Sequence, residues 1–335
     1  MKKKRLGEIK MGAKITGLGM HLPEKMLDNK YFESFLETSD EWITERTGIK
    51  YRYFSSKDES ASDLAYPACL EAIENAKISK DEIELIIVTT VTPDYMFPTT
   101  ACVLQDKLGL KPTAAFDLLA GCTGFIYGAE IARNFIETKR YKTILVVSVE
   151  ELSKILDLQD RNTAVLFGDG AAAAIFQDVE GENGILSSYI SADGSKHQNL
   201  IMPAGGSKNP TSLETVNQRM HYIKMDGKAV FRDAVSMMIK ATKEALARAN
   251  LNKEDIDLFI PHQANIRIIE AIAKYFEIDK NKVYITVDKY ANISAATIPI
   301  ALYDAQKNGV LKKGMKILLT AFGAGFTFGA MVLEI

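Results

Sequence analysis

Three side chains in this sequence, Cys122, His262 and Asn292, are of the types that perform acyl transfer. Cys122 follows Ala115-Phe-Asp-Leu-Leu-Ala-Gly121, an apolar run of strand character, and precedes a helix-like segment over residues 123–138. A cysteine at such a turn sits at a helix N-terminus, where free N–H groups and the macrodipole favour negative charge. An ordinary thiol, with pKa about 8.5, is a few per cent thiolate at pH 7, and this setting is expected to lower the value and strengthen the nucleophile. Gly121 and Gly124 keep bulk away from the sulfur. A buried structural cysteine is the ordinary alternative; the turn, the glycines and the two partners outweigh it. His262 lies in Ile260-Pro-His-Gln-Ala-Asn-Ile-Arg267, at the end of a buried strand, where open α/β sheets bind ligands. Asn292 lies in Tyr290-Ala-Asn-Ile-Ser-Ala-Ala296. A neutral histidine and an asparagine can both donate hydrogen bonds to a developing oxyanion. Taken singly, each also fits a loop histidine or a helix cap.

The elements that must position these groups read as alternating helices and buried strands. Strand character runs over residues 14–20, 82–91, 113–119 and 142–149, and helical character over residues 61–76 and 99–108. Residues 38–48 form a short helix with Ser39 or Asp40 as N-cap and Gly48 as its stop. Residues 163–177 read as a strand broken at a glycine turn and then resumed. Ala72–Ile87 (AIENAKISKDEIELII) aligns without a gap on Ala245–Ile260 (ALARANLNKEDIDLFI), an offset of 173 residues. The Cys122 turn has an apparent counterpart at Asn292, offset 170, and the strand at 142–149 one at 315–321. A period this long is a duplicated α/β domain rather than a solenoid. The expected organisation is a flexible extension over residues 1–11, a first half over 12–178, connecting hairpins and loops over 179–225, and a second half over 226–335. Two mostly parallel sheets packed about a pseudo-twofold axis place a site at their junction.

Composition narrows the function classes. Of 335 residues, 47% are hydrophobic and 25% charged, the mix of a globular protein with a full core. A net charge of −2 gives no overall basic pull toward nucleic acid or membrane. Three widely spaced cysteines and four histidines, with no CxxC or HExxH, offer neither a disulfide framework nor metal-ligand spacing, so no metal is expected. The basic start lacks the apolar core of a signal peptide, and no run reaches the ~20 apolar residues of a membrane span. A cytoplasmic protein with reduced thiols is the expectation.

Six motifs in order resemble the β-ketoacyl-[acyl carrier protein] synthase III family over residues 14–335: Ser39-Asp-Glu-Trp-Ile-Thr-Glu-Arg-Thr-Gly-Ile49, Ala120-Gly-Cys-Thr-Gly-Phe125, Phe167-Gly-Asp-Gly-Ala171, Pro261-His-Gln-Ala-Asn265, Asn292-Ile-Ser-Ala-Ala296 and Ala321-Phe-Gly-Ala-Gly-Phe326. The resemblance implies a thiolase-like fold layered α-β-α-β-α and a decarboxylative Claisen condensation that starts fatty-acid synthesis. Cys122 would take the acyl group of a short acyl-CoA, with acetyl-CoA the first choice. Malonyl-acyl carrier protein would then lose CO2 and attack the acyl-cysteine. His262 and Asn292 would hold the malonyl thioester oxygen. The backbone N–H groups of Cys122 and Ala324 would form a second oxyanion hole. No cofactor is implied, since the CoA thioester is itself a substrate.

The resemblance also maps Trp42 and Arg161 onto the two faces of the CoA adenine, with Thr38 and Arg46 beside it. Gly227, Phe231, Ala264 and Asn265 would line the pantetheine tunnel, and Phe97 would bound the acyl pocket from across a homodimer. An acidic carrier protein calls for a basic mouth, and Arg232, Arg267 and Lys274 are the candidates, the last two at i and i+7. Three positions depart from the family pattern: Ala291 and Ala324 stand where Gly is usual, and Ile293 where Thr is common. A relative using another starter in secondary metabolism is the nearest alternative. A cysteine hydrolase fits the order Cys, His, Asn, 140 and then 30 residues apart, but not the mid-chain cysteine or the duplication. An inactive partner subunit would be expected to lose the nucleophile. A dinucleotide site at Gly17-Leu-Gly19 or Gly323-Ala-Gly325 lacks the required third glycine or following helix.

Overall fold

The computed structural model describes residues 12–179 and 184–335; the expected extension over residues 1–11 lies outside them. In the first half, β1 (Ala13–His21), β2 (Leu85–Thr89), β3 (Ala114–Leu118), β4 (Thr143–Glu151) and β5 (Asp169–Asp178) form one sheet in the order β1-β5-β4-β2-β3. β2 runs parallel to β3 and β4, and β5 runs antiparallel to β1 and β4. The second sheet joins β6 (Ile185–Ala192), β7 (Leu258–Pro261), β8 (Lys316–Gly323) and β9 (Thr327–Glu334) in the order β6-β9-β8-β7, with the same sense at each pairing. The counterpart of β3 is reduced to a single bridge, Phe259 to Val283. β2 and β4 are buried along their whole length, as the central strands of a sheet covered on both faces must be.

The repeat read from the sequence holds down to its hydrogen bonds. Helices α2 (Ala61–Ala76) and α5 (Gly227–Ala249) end at left-handed Lys77 and Asn250, 173 residues apart. Each copy then closes a capping box, Ser79 with Glu82 and Asn252 with Asp255, before its buried strand. The Cys122 turn pairs differently from the expectation. Gly121–Thr123 and Ser294–Ala296 are the matching 3-10 turns, each leading into an inter-sheet helix, so Cys122 corresponds to Ala295 and Asn292 lies just upstream.

Those inter-sheet helices, α4 (Gly124–Glu137) and α7 (Thr297–Lys307), fill the centre of an α-β-α-β-α sandwich. Phe125, Ile126 and Ala129 of α4 and Ile298, Ala301 and Leu302 of α7 share one core with both sheets. α2 and α3 (Thr100–Lys107) cover the outer face of the first sheet, and α5 and α6 (Ile266–Tyr275) that of the second. Gly17 and Gly19 of β1 exist for this packing: a Cβ there would meet backbone atoms of Ala72 and Ala68 within 2.2 Å.

Two expectations are corrected. Residues 179–225, expected as connecting hairpins and loops, also contribute β6, which pairs with β9 and completes the second sheet. Residues before Gly168 are not strand. Asp160 caps a helical turn at Arg161–Ala164, leaving Phe167 a single bridge to Asn292.

Candidate active site

Cys122 sits in the turn between β3 and α4, and glycine is required on both sides of it. Gly121 has φ +54°, and a Cβ there would stand 2.9 Å from Ala324 N. A Cβ on Gly323 would stand 2.5 Å from Cys122 N. The β8–β9 hairpin of the second half therefore rests directly on the Cys122 backbone. The Ala324 N–H has no acceptor among the described residues. Thr327 fastens the contact, donating its hydroxyl to Ala120 O at 2.8 Å.

His262 and Asn292 are fixed by neighbours that the sequence alone does not single out. Thr297 Oγ1, at the start of α7, lies 2.6 Å from His262 Nδ1 and 3.1 Å from Ser294 O. With the hydroxyl proton on the shorter contact, Nδ1 accepts and Nε2 carries the hydrogen that can enter the cavity. Asn292 is strapped to the first half: its N–H donates to Leu166 O, and Gly168 N–H donates to Asn292 O. Its Oδ1 accepts from Ser294 N–H at 2.9 Å, which leaves the Nδ2 hydrogens free to donate. The Phe-Gly-Asp-Gly motif thus holds the asparagine, and Asp169 within it is spent on Ser55 and Ser153.

Burial decides the charges. Desolvation pushes the Cys122 thiol up to about 12, with repulsion from Glu150 adding to it and a hydrogen bond with Ser294 opposing it. The expected lowering at the helix start is therefore outweighed, and the resting sulfur is a thiol. Desolvation likewise holds His262 down to about 3, so its imidazole is neutral at pH 7 and donates without bringing a charge.

Cys122, His262 and Asn292 all line one cavity of about 770 Å³, as do Trp42, Arg46, Gly227, Phe231, Ala264, Asn265 and Arg267. Trp42 is flanked by two guanidinium groups, Arg161 at 4.8 Å and Arg46 at 5.1 Å from its ring. Arg161 also donates to Glu37 O at 2.7 Å. Asn265 caps α6, accepting from Arg267 N–H, and its amide donates to Arg46 O at 3.0 Å, so its polar atoms tie this corner to α1 (Asp40–Thr47). Ser39 is the N-cap of that helix and left-handed Gly48 its stop.

Some candidates stand apart from the cavity. Thr38 is not in its wall, and its buried Oγ1 has no hydrogen-bond partner among the described residues. Phe97 is 86% exposed, next in sequence to exposed Tyr95 and Met96, and Leu119, just after β3, is exposed as well. Arg232 is exposed next to Phe231, while Lys274 lies on α6 about 10 Å beyond Arg267. Among the described residues no group of acidic, histidine or cysteine side chains is arranged to hold a metal ion, and no helix is long and apolar enough to cross a membrane.

Comparison with known proteins identifies the family. Two family models match, "3-Oxoacyl-[acyl-carrier-protein (ACP)] synthase III" over residues 116–194 and its C-terminal counterpart over residues 246–335. The chain is 51% identical over 325 residues to the beta-ketoacyl-[acyl-carrier-protein] synthase III of Caldanaerobacter subterraneus subsp. tengcongensis, covering 97% of this chain and 98% of that one. It is 51% identical over 322 residues to the enzyme of the same name from Clostridioides difficile, covering 96% and 98%. The crystal structure of 3-oxoacyl-[acyl-carrier-protein] synthase III from Aquifex aeolicus VF5 superposes with a TM-score of 0.90 at 42% identity, covering 97% of this chain and all of that one.

Proposed function

The chain belongs to the 3-oxoacyl-[acyl-carrier-protein] synthase III family, and from that premise we propose a specific course for the condensation by which it initiates fatty-acid synthesis. Cys122 attacks the thioester of a short acyl-CoA, acetyl-CoA first, forming an acyl-cysteine and releasing CoA. Malonyl-acyl carrier protein then enters the emptied cavity and loses CO2, and its enolate displaces the acyl group from sulfur to give the β-ketoacyl carrier. His262 Nε2–H and Asn292 Nδ2–H receive the enolate oxygen as its charge grows; such donors are worth on the order of 10²–10³ in rate each. The N–H groups of Cys122 and Ala324 receive the oxygen of the tetrahedral adduct at the acyl-cysteine. A thioester enolate is resonance-stabilised, so the scheme calls for no metal or redox cofactor.

The observation that carries this reading is one cavity lined by a cysteine from the first half and a neutral histidine and an asparagine from the second, with the Trp42 platform in its wall. An adenine ring sandwiched between Trp42 and Arg161 requires the guanidinium to swing out by about 3.5 Å, one van der Waals contact, and Arg46 already lies over the same ring. Exposed Arg267 in the cavity wall, exposed Arg232 next to Phe231 and Lys274 further along α6 are the docking groups for an acidic carrier protein. The exposed apolar segment Tyr95-Met96-Phe97 with Leu119 is the seam of a homodimer, through which Phe97 closes the partner's acyl pocket. The cytoplasm, where CoA thioesters are made and three free thiols stay reduced, is the expected compartment.

Intact-protein mass spectrometry tests the scheme. Wild-type protein incubated with acetyl-, isobutyryl-, butyryl- or octanoyl-CoA should gain the acyl mass, Cys122→Ser should not, and malonyl-acyl carrier protein should discharge the label into product. Discharge by water alone would favour a hydrolase. No label from any acyl-CoA would overturn the priming role.

A further inference from the structure

Glu150, near the end of β4, is wholly buried, yet no salt bridge reaches it among the described residues. It lies behind the nucleophile, outside the cavity wall. One carboxylate oxygen, Oε2, accepts from Val91 N–H at 3.0 Å, Thr92 Oγ at 3.0 Å and Thr90 Oγ at 3.3 Å. The other, Oε1, is buried and has no hydrogen-bond partner among the described residues. Ser294 is the side chain that interacts with both the Cys122 thiol and the Glu150 carboxyl. Its backbone is left-handed, φ +43°, at the position matching Gly121 in the other half, and its N–H is held by Asn292 Oδ1. A buried carboxyl with one idle oxygen, a hydroxyl beside it and a nucleophilic sulfur beyond is the arrangement of a proton relay.

We propose that Glu150, acting through Ser294, holds the proton that Cys122 gives up on acylation and takes back on condensation. This rests on the condensing reading above. In the first half-reaction the Cys122 S–H bond breaks as the sulfur–acyl carbon bond forms and the bond from that carbon to the CoA sulfur breaks. The Cys122 proton moves to Ser294 Oγ while the Ser294 hydrogen moves to Glu150 Oε1, and the departing CoA thiolate takes a proton from water. In the second half-reaction the new carbon–carbon bond forms as the acyl–sulfur bond breaks. The freed Cys122 thiolate recovers its proton from Ser294, which is resupplied by Glu150. Glu150 ends each turnover as it began, and one proton from water is consumed, as decarboxylation requires.

The surroundings suit the task. Burial raises the Glu150 carboxyl to about 7, opposed by the Val91 N–H and by the neighbouring Ser294 and Thr92 hydroxyls and Ala295 N–H. The titratable group facing it from the 3-10 turn is Cys122. The segment after β2 presents only the Thr90 and Thr92 hydroxyls and the Val91 N–H, the turn before α7 presents Ser294 and the Ala295 N–H, and the register partner on β5 is Gly170. Glu151, the next residue of the strand, is engaged elsewhere, with Lys154 at 3.0 Å. His262 and Cys122 titrate well outside the range around 7.

The test is the single-turnover acylation rate of Cys122 by acetyl-CoA, read as mass gain after rapid quenching from pH 5.5 to 9. The wild-type rate should rise about tenfold per pH unit below 7 and level off above it. Glu150→Gln should lose about 100-fold on the plateau and show no limb near 7. Ser294→Ala should lose a similar factor and the same limb while keeping the carboxyl. A Glu150→Gln enzyme that keeps the wild-type limb, at full or uniformly reduced rate, would show a structural role only and overturn the relay. Should that variant fail to fold by circular dichroism, a wild-type limb in Ser294→Ala overturns it equally. A wild-type protein that takes no label at any pH overturns the condensing reading itself, and the relay with it.

Discussion

At Cys122 and His262, burial sets the charge state before any substrate arrives. His262 is held far below the ordinary imidazole value of 6.5, so its neutral form contributes stability fully above pH 6.5 and progressively less as pH falls toward 3. Decarboxylation should accordingly show no titration of His262 between pH 5.5 and 8, measured as CO2 released by the acylated enzyme. His262→Ala should slow that release on the order of 10²–10³-fold while Cys122 still takes up acetyl mass. Equal loss in both steps would mean that the histidine serves acylation too. Glu150 has the opposite sign. Its folded value of about 7 lies above the ordinary 4.5, so its stability contribution is complete below pH 4.5 and lost as pH rises through 7. Glu150→Gln should therefore gain on wild type by about 3 kcal/mol between pH 4.5 and 8, seen in urea unfolding at the two pH values. Cys122, His262 and Asn292 could be singled out from the sequence as candidates, because a turn cysteine and two uncharged donors suggest their chemistry by type, and the fold brings all three to one cavity. Thr297, Ser294 and Glu150 were not, since nothing in their own flanks says that they face the site.

Among the elements, the decisive contact is the β8–β9 hairpin against the Cys122 turn. Gly121→Ala would set a methyl 2.9 Å from Ala324 N at a φ of +54°. Expected are a loss of about 1–2 kcal/mol in thermal unfolding and at least 100-fold in acylation, as the oxyanion donor is displaced. Ala291 carries φ 58° and ψ −160°, a conformation suited to glycine, at one of the positions where the family pattern has Gly. Ala291→Gly should relieve strain that exceeds the extra freedom of the unfolded chain, stabilising the protein by about 1 kcal/mol with Cys122 acylation unchanged. A lower melting temperature would show that the site carries no strain. The helices, caps and buried strands were readable because their signals are local: Ser39 and Gly48 bracket α1, and the paired capping boxes repeat at 173 residues. β6 escaped that reading. It lies between loops, and only its pairing with β9 makes it a strand.

At the scale of the whole molecule, duplication puts the working parts on opposite halves and the α4–α7 layer joins them. The proposed dimer seam predicts that Phe97→Asp gives a monomer in analytical ultracentrifugation at micromolar concentration and weakens acyl-CoA use, because the partner then loses a pocket wall. A variant that stays dimeric would move the interface elsewhere. The sequence by itself determined the α/β class and the duplicated plan and singled out Cys122, His262 and Asn292 as candidates, since periodicity, capping and residue type act within a few turns of chain. Tertiary structure alone decided that Cys122 rests as a thiol, that Phe167 and Gly168 hold Asn292, that Thr297 orients His262, and that Glu150 stands behind the sulfur. Desolvation and hydrogen-bond pairing depend on which distant segments come to surround a group, and no local pattern encodes that.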